Sequence, residues 1–219
     1  MVAGASGGGS FRRRVAVYLV LAIVLFGVAE LCFWLAEPRA ALESAQHEGR
    51  ALAGDLLATL ESTDFGQSRR GRELIAVLRD ALARGSVIFA TDLDGPGHFR
   101  DVRGGVVYVD GSLLRGDGPA RDRGLVKVLF HEAVHALRTG GTSIEEECDG
   151  CAAGMVAVDA IEGKATAELI EVDGRPLVDF VRARYADLGE DSSYLPVGET
   201  RSWLLRRTGC CVGVDGFSK

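Results

Sequence analysis

The stretch Val128-Leu-Phe-His-Glu-Ala-Val-His-Ala-Leu137 contains the pattern His-Glu-x-x-His. On an α-helix, His131 and His135 lie one turn apart on the same face, so both imidazoles reach one ion. Glu132 is the neighbouring carboxylate, placed to take a proton from water. Two imidazole nitrogens with a carboxylate base are the groups that a hydrolytic zinc site needs. The pattern therefore predicts a metal site; the alternative is an amphipathic helix whose histidines only form hydrogen bonds.

The same segment has an apolar face at helical spacing, which predicts a buried helix with its histidines pointing inward. Its members are Val126, Leu129, Phe130, Val134 and Leu137. Upstream, residues 69–84 have the pattern of an amphipathic helix, and residues 86–91 and 105–110 that of two strands joined by a turn-rich loop. We therefore expect a mostly helical α+β domain with a small β-sheet.

A catalytic zinc ion has three protein ligands, and the third is expected downstream of the histidines. Ser143 has the position of a helix N-cap, with Glu146 completing a capping box, and a second helix is predicted from about 144 to about 161. Glu145 and Asp149 are four residues apart on one face of it. A carboxylate one turn from a ligand can orient a ligating histidine. The residues themselves leave the third ligand open among Glu145, Glu146, Cys148 and Asp149.

The two helices together resemble those of the gluzincin zinc metallopeptidases, and the approach through Gly105–Asp110 is similar to that of the small ImmA/IrrE-type members. The resemblance covers roughly residues 86–160. It implies a minimal zincin-like domain that binds Zn²⁺ and hydrolyses a peptide or protein substrate. It also implies that a strand such as Val106–Asp110 can pair with an extended peptide above the metal, the alternative being an ordinary core strand. The roles it implies are zinc ligands for His131, His135 and Glu145, the general base for Glu132, and the orienting carboxylate for Asp149.

Peptidases of this kind often stabilise the oxyanion with a tyrosine or histidine beyond the third ligand. Tyr185 and Tyr194 are the available phenols, and Tyr194 is the one we predict. His98, in the turn-rich loop, is another side chain that could approach the site. Two other functions fit the same residues: a non-catalytic, membrane-anchored module braced by metal or disulfides, and a zinc hydrolase of a non-peptide amide.

The amino-terminal third predicts the compartment. Residues 1–14 are expected to be a disordered cytoplasmic tail that ends in three arginines, and residues 15–36 hold a single charged side chain, Glu30. A segment of that length spans a hydrocarbon core of about 30 Å, and the arginines favour an amino terminus that stays in the cytoplasm. We therefore predict a single-pass membrane protein with residues 37–85 as a helical lead-in and residues 86–219 as an extracytoplasmic metallopeptidase domain. The alternative is a cleaved signal peptide and a secreted domain.

The cysteines bear on the predicted export, and the net charge bears on nucleic-acid binding. Disulfides are favoured in an exported domain, and the candidates are Cys148, Cys151, Cys210 and Cys211. The alternative for these four is a second zinc site made of thiolates. The formal net charge of −6 argues against a nucleic-acid surface, which would be basic.

Overall fold

The computed structural model describes residues 43–90, 93, 95–100, 105–138 and 142–209. The chain divides after Ser44 into two compact units, and the fold below is that of the unit beginning at Ala45. Its helices are α1 (described over 43–61, and part of this unit from Ala45), α2 (Asp64–Gln67), α3 (Arg69–Ala83), α4 (Gly118–Leu137), α5 (Ile144–Ile161), α6 (Leu177–Arg184) and α7 (Arg201–Thr208). Its strands are β1 (Val87–Ala90), β2 (Gly97–Arg100), β3 (Val106–Asp110), β4 (Glu171–Val172) and β5 (Arg175–Pro176), with a 3₁₀ turn at Gly111–Arg115. The predicted α+β class, mostly helical with a small sheet, is confirmed.

Hydroxyl side chains start three of the helices. Thr63 caps α2 and Ser68 caps α3, each accepting a hydrogen bond from the backbone N–H three residues on. Ser143 caps α5 in the same way, accepting from the backbone N–H of Glu146 at 3.2 Å. Such caps satisfy N–H groups that have no partner within the helix. The predicted cap and both predicted ends of α5 are confirmed.

The main sheet is mixed, in the order β1-β3-β2. β3 pairs in parallel with β1, where Val107 is opposite Val87, and antiparallel with β2, where Tyr108 is opposite His98. Val107 is buried against the helices while Tyr108 points to the other face. Both predicted strands are present.

β2 is a strand in a segment that the sequence predicted as a loop. The Gly95-Pro-Gly97 sequence indicates a turn, and the strand begins at its last glycine. Because both sides of β3 are already paired, Val106–Asp110 cannot take up a further strand, and the predicted pairing of this segment with a peptide is wrong. β2 is the strand at the edge of the sheet on the side of the cleft described below.

α4 is the central helix of the unit, packed against α3, α5, β2 and β3. The Phe130 ring meets Phe65 edge-on, with 5.4 Å between centroids. The fully buried side chains of α4 are Leu125, Val126, Leu129, Phe130, Ala133 and Val134. This burial turns the other face of the helix, with both histidines, toward α5.

Two glycines bring α5 close to α4. A Cβ atom at Gly154 would lie 2.4 Å from the carbonyl oxygen of Lys127, and one at Gly150 would lie 3.0 Å from Nδ1 of His131. Distances this short leave no room for a side chain at Gly154 and very little at Gly150. The close approach lets short carboxylate side chains of α5 reach the histidines of α4.

A buried ion pair ties α3 to the opposite face of α5. Arg70 Nη2 lies 2.6 Å from Asp149 Oδ1, and both side chains are almost fully buried. Arg70 also donates to the backbone oxygens of Asp149 and Val197, and its guanidinium stacks 4.3 Å from the ring centroid of Trp203. Tyr194 and the backbone N–H of Val197 both donate to Asp149 Oδ2. The two buried charges thus neutralise each other, as burial requires, while Asp149 Oδ1 and Arg70 Nε form no hydrogen bond of ordinary geometry with a described residue.

Within the part of the chain that the structure describes, no helix combines the length and the apolar character needed to cross a membrane. The longest of the described helices, α4, has charges at Arg121, Asp122, Arg123, Lys127 and Glu132, too many for a lipid environment. This finding contradicts the predicted single-pass membrane localisation, which is corrected accordingly. The segments predicted as tail and anchor, residues 1–14 and 15–36, lie outside the described residues.

Candidate metal centre

Three side chains from α4 and α5 converge on one point. His131 Nε2 lies 3.1 Å from His135 Nε2. Glu147 Oε2 lies 3.4 Å from His131 Nε2, and Glu147 Oε1 lies 3.5 Å from His135 Nε2. The potential ligand atoms of these three residues all lie within 4.8 Å of one another. This cluster, the His131–His135–Glu147 cluster, could hold a metal ion.

Glu146 fixes the orientation of one of the histidines. Its Oε1 lies 2.7 Å from His135 Nδ1. A carboxylate there accepts a hydrogen bond from Nδ1–H, which leaves the lone pair of Nε2 directed at the cluster. Glu146 therefore orients His135, the role that the resemblance implied for Asp149. Its predicted reach back to the N-cap, the second half of a capping box, is replaced by this contact.

Glu145, the predicted third ligand, is not part of the cluster. Its Oε2 accepts a hydrogen bond from the backbone N–H of Asp191 at 2.6 Å. Successive residues of an α-helix are rotated by about 100°, so Glu145 and Glu147 point to nearly opposite sides of α5. The structure thus places Glu147, and not Glu145, beside the two histidines.

The sequence contained a signal that identifies Glu147. Gly150 and Gly154 follow it at positions i+3 and i+7, which places all three on one face of α5. A helix face with glycines is a face where another element comes close, and here that element is α4. The same face includes Cys151, one turn after Glu147.

Asp149 and Tyr194 also lie away from the cluster, contrary to their predicted roles. Asp149 is occupied by Arg70, and the Tyr194 hydroxyl donates to Asp149 Oδ2 at 2.9 Å. Burial, followed by the negative charge of Asp149, raises the pKa of Tyr194 well above its ordinary value. Both side chains stabilise the fold, and neither faces the histidines.

Tyr185 is the phenol that lies next to the cluster. It lines the cleft, and its hydrogen bond to Glu147 contributes to the pKa of that carboxylate. Burial raises the pKa of Glu147, but the contacts with His131, and after it the charge of His135, outweigh burial and lower the pKa. Burial and then the charge of Glu147 raise the pKa of Tyr185. Tyr185 therefore keeps its proton at neutral pH and can donate it in a hydrogen bond.

The cluster opens into a cleft of about 770 Å³ between α4, α5, α6 and β2. Such a volume is in the range of sites for small molecules or short peptide segments. Glu132 lines the cleft close to β2, where a Cβ atom at Gly97 would lie 3.0 Å from its Oε1. Burial raises the pKa of Glu132, with His131 and His135 acting in the opposite direction. A carboxylate with a raised pKa beside a metal site is a competent proton acceptor.

The surroundings of His131 favour positive charge. Burial lowers the pKa of His131, but the neighbouring Cys151 and Glu147, with a further contribution from Glu132, raise it to about 10. The groups that stabilise a protonated imidazole also stabilise a divalent cation at the same place. The electrostatics of the cluster are therefore those of a cation site.

The structure describes two of the four cysteines predicted to form disulfides, Cys148 and Cys151. Cys151 lines the cleft and contacts His131, and Cys148 is buried on the same helix. Their predicted disulfide partners, Cys210 and Cys211, lie outside the described residues. The disulfides and the four-thiolate zinc site therefore stay predictions.

Comparison of this chain with protein-family models, with curated proteins and with solved structures finds no match.

Proposed function

We propose that this protein is a zinc-dependent hydrolase that cleaves peptide bonds, with Glu132 as the general base. The observation that supports it best is the convergence of His131, His135 and Glu147 at the floor of a cleft, with Glu132 beside them. This donor set of two imidazoles and one carboxylate is that of catalytic zinc sites, which leave one coordination position open. The resemblance to gluzincin peptidases, read with Glu147 in the third position, points to the same chemistry.

The distances within the cluster suit zinc. Zinc–ligand distances near 2.1 Å and tetrahedral angles give ligand-to-ligand separations of about 3.4 Å. The separations in the cluster, 3.1, 3.4 and 3.5 Å, lie close to that value. In addition, Glu147 Oε2 is buried and accepts no hydrogen bond of ordinary geometry from any described residue. This oxygen lies 3.4 Å from His131 Nε2, and a cation bound by both atoms would satisfy it.

In the proposed mechanism, each residue of the cleft has a separate role in peptide hydrolysis. When bound, zinc supplies an acidified water and a Lewis acid for the scissile carbonyl. Glu132 accepts the proton of the attacking water, holds it in its buried position, and delivers it to the leaving amine. Glu146 keeps His135 oriented throughout. Tyr185, still protonated, donates a hydrogen bond to the developing oxyanion, the role that the sequence assigned to Tyr194.

The test is Glu132→Gln in the full chain, with the exposed Glu168→Gln as matched control. Because the amide cannot accept the proton, we expect kcat to fall by a factor of about 10² to 10⁴, with zinc content unchanged. Glu168 is distant in sequence and exposed, and its variant should behave as the unsubstituted protein. Peptide-library turnover and metal analysis are the measurements. Near-normal turnover by Glu132→Gln would remove the base from the mechanism.

Cys151 supports a second candidate function, a closed metal site that only braces the fold. Its contact with His131 places a thiol next to the cluster, although its sulfur is not among the ligand atoms that lie within 4.8 Å of one another. A shift of Cys151 would supply a fourth protein ligand, and four protein ligands are the mark of a structural zinc site. X-ray absorption of the zinc-loaded protein separates the two functions. Sulfur in the coordination shell, and loss of zinc in Cys151→Ser, would favour the structural site; only nitrogen and oxygen ligands, with zinc retained in Cys151→Ser, would favour the catalytic one.

A further inference from the structure

The charged side chains that line the cleft outside the metal centre are all of one sign. They are Lys127 and Arg138 of the α4 segment and Arg184 at the end of α6. The only carboxylates among the described lining residues are Glu132, Glu146 and Glu147 at the floor. The wall that a substrate would meet is therefore cationic, in a chain whose formal net charge is −6.

These three cations have no carboxylate partner within 4 Å among the residues that the structure describes. Arg138 donates to the backbone oxygen of Leu195 and lies 5.2 Å from the ring centroid of Tyr194, while its buried Nε has no hydrogen-bond partner there. Arg184 lies 5.8 Å from the ring centroid of Tyr185. Lys127 is exposed at its tip and has its stem against Gly154. By contrast, cations elsewhere on the surface, such as Arg79 and Arg123, are paired with glutamates.

Their positions bracket the metal centre. Lys127 is one turn before His131 on α4, and Arg138 follows His135 by three residues. Eleven residues of helix separate the two cations by about 16 Å along the axis. An extended chain covers that distance in about five residues. A peptide bound across the cluster would thus meet a positive side chain on each side of the scissile bond, with Arg184 on the facing wall.

We propose that the preferred substrates are acidic peptides, with Asp or Glu on both sides of the cleaved bond. This inference rests on the proposed peptidase function. The three cations that line the cleft attract acidic peptides, and a bound acidic peptide neutralises their charge. The negative net charge of the protein as a whole repels the same peptides. The preference is electrostatic, so it weakens as salt rises.

The experiment uses the full chain loaded with zinc and internally quenched peptides of matched sequence. In one set, the residues flanking the scissile bond are Asp and Glu; in the second they are Asn and Gln; in the third they are Lys. We expect kcat/KM for the acidic set to exceed that for the amide set by about tenfold, since each exposed ion pair contributes up to about fivefold. The lysine set should be cleaved most slowly, and the acidic advantage should shrink between 50 mM and 500 mM NaCl.

Reversing the charge of single residues then tests whether the cleft-lining cations cause the preference for acidic peptides. Lys127→Glu and Arg184→Glu should each reduce the ratio of acidic to amide kcat/KM by about fivefold to tenfold. Arg206→Glu, an exposed arginine on α7 away from the cleft, is the control of equal charge change and should leave the ratio as it is. Zinc content and the thermal unfolding midpoint are measured for each variant to show that the site is intact.

The outcomes separate the inference from the function on which it rests. Cleavage of all three sets at equal rates, or a ratio that responds equally to Lys127→Glu and Arg206→Glu, would overturn the acidic preference and leave the peptidase function standing. No cleavage of any set by the zinc-loaded protein would overturn both.

Discussion

Three consecutive glutamates at the start of α5 have three different partners, and replacing each with glutamine separates their roles. Glu145 accepts a hydrogen bond from the backbone of Asp191, Glu146 contacts His135 Nδ1, and Glu147 lies within 3.5 Å of the Nε2 atoms of both histidines. The substitution keeps the size of the side chain and one acceptor oxygen. It removes only the charge and the second acceptor.

The expected loss of zinc affinity differs among the three variants. Opposite unit charges 4 Å apart interact by about 4 kcal/mol at an effective dielectric constant of 20, which is about a thousandfold in a binding constant. Allowing for the amide oxygen that remains, we expect Glu147→Gln to weaken zinc binding by at least about a hundredfold. Glu146 acts through His135, and loss of such a partner weakens binding by about 10-fold to 100-fold. Glu145→Gln should leave zinc affinity unchanged, because its amide oxygen still accepts from Asp191.

Competition with a chromophoric zinc chelator measures the three affinities, and thermal unfolding without zinc shows whether each variant folds. The expected order of loss is Glu147, then Glu146, then Glu145. If Glu145→Gln lost more affinity than Glu147→Gln in variants that unfold at normal temperatures, the assignment of the third position from the geometry would be refuted. The sequence-based choice of Glu145 would then be restored.

Further predictions concern the packing around the centre. Gly150→Ala sets a methyl group 3.0 Å from His131 Nδ1 and should weaken zinc binding and lower the unfolding midpoint. Gly54→Ala, in α1 with nothing within 4 Å of the added carbon, should instead stabilise by up to about 1 kcal/mol; equal effects in chelator competition and melting would contradict the close contact. Tyr194→Phe removes a donor to Asp149 and should cost about 1–3 kcal/mol in urea unfolding without changing zinc affinity. The pKa of Tyr194 is raised in the folded protein, so its stabilising effect is complete below the unfolded pKa of about 10 and is lost as the pH rises above that value. Above a pH of about 10, the free energy of unfolding should therefore fall less steeply with pH in Tyr194→Phe than in the unsubstituted protein. An identical slope would show that Tyr194 is not the group responsible.

The sequence was sufficient for features that depend on local interactions. The ends of α5, the Ser143 cap and the helix bearing His131 and His135 follow from spacing and capping chemistry within a few residues. These signals act over one or two turns, and the tertiary structure did not override them.

The rotation of α5 could not be predicted from its hydrophobic pattern. All residues from Ile144 to Gly150 are buried, so apolar and charged side chains do not divide into an inner and an outer face. Without that division, the hydrophobic pattern does not distinguish Glu145, Glu146 and Glu147, and only the glycines at 150 and 154 mark the face that bears Glu147. The rotation is set by close packing at Gly150, a contact with a different helix.

Tyr194 and β2 were mispredicted for a similar reason. The partner of Tyr194 is Asp149, whose charge is in turn held by Arg70 from a helix far earlier in the chain. β2 forms because β3 offers it a free edge, although Gly95-Pro-Gly97 by itself indicates a turn. Neither contact could be predicted from local sequence patterns, because both are tertiary contacts.

The pairing of Arg70 with Asp149 bears on where this protein can be trimmed for expression. A fragment starting at residue 86 would keep every group of the zinc cluster and discard the guanidinium that neutralises Asp149, two residues from Glu147. An uncompensated charge at a position as buried as this costs about 3–5 kcal/mol, against a total stability of about 5–15 kcal/mol for a typical domain. Helix α3 thus supplies the counter-ion for the helix that bears Glu147, and the shortest fragment that we expect to fold begins before Arg70.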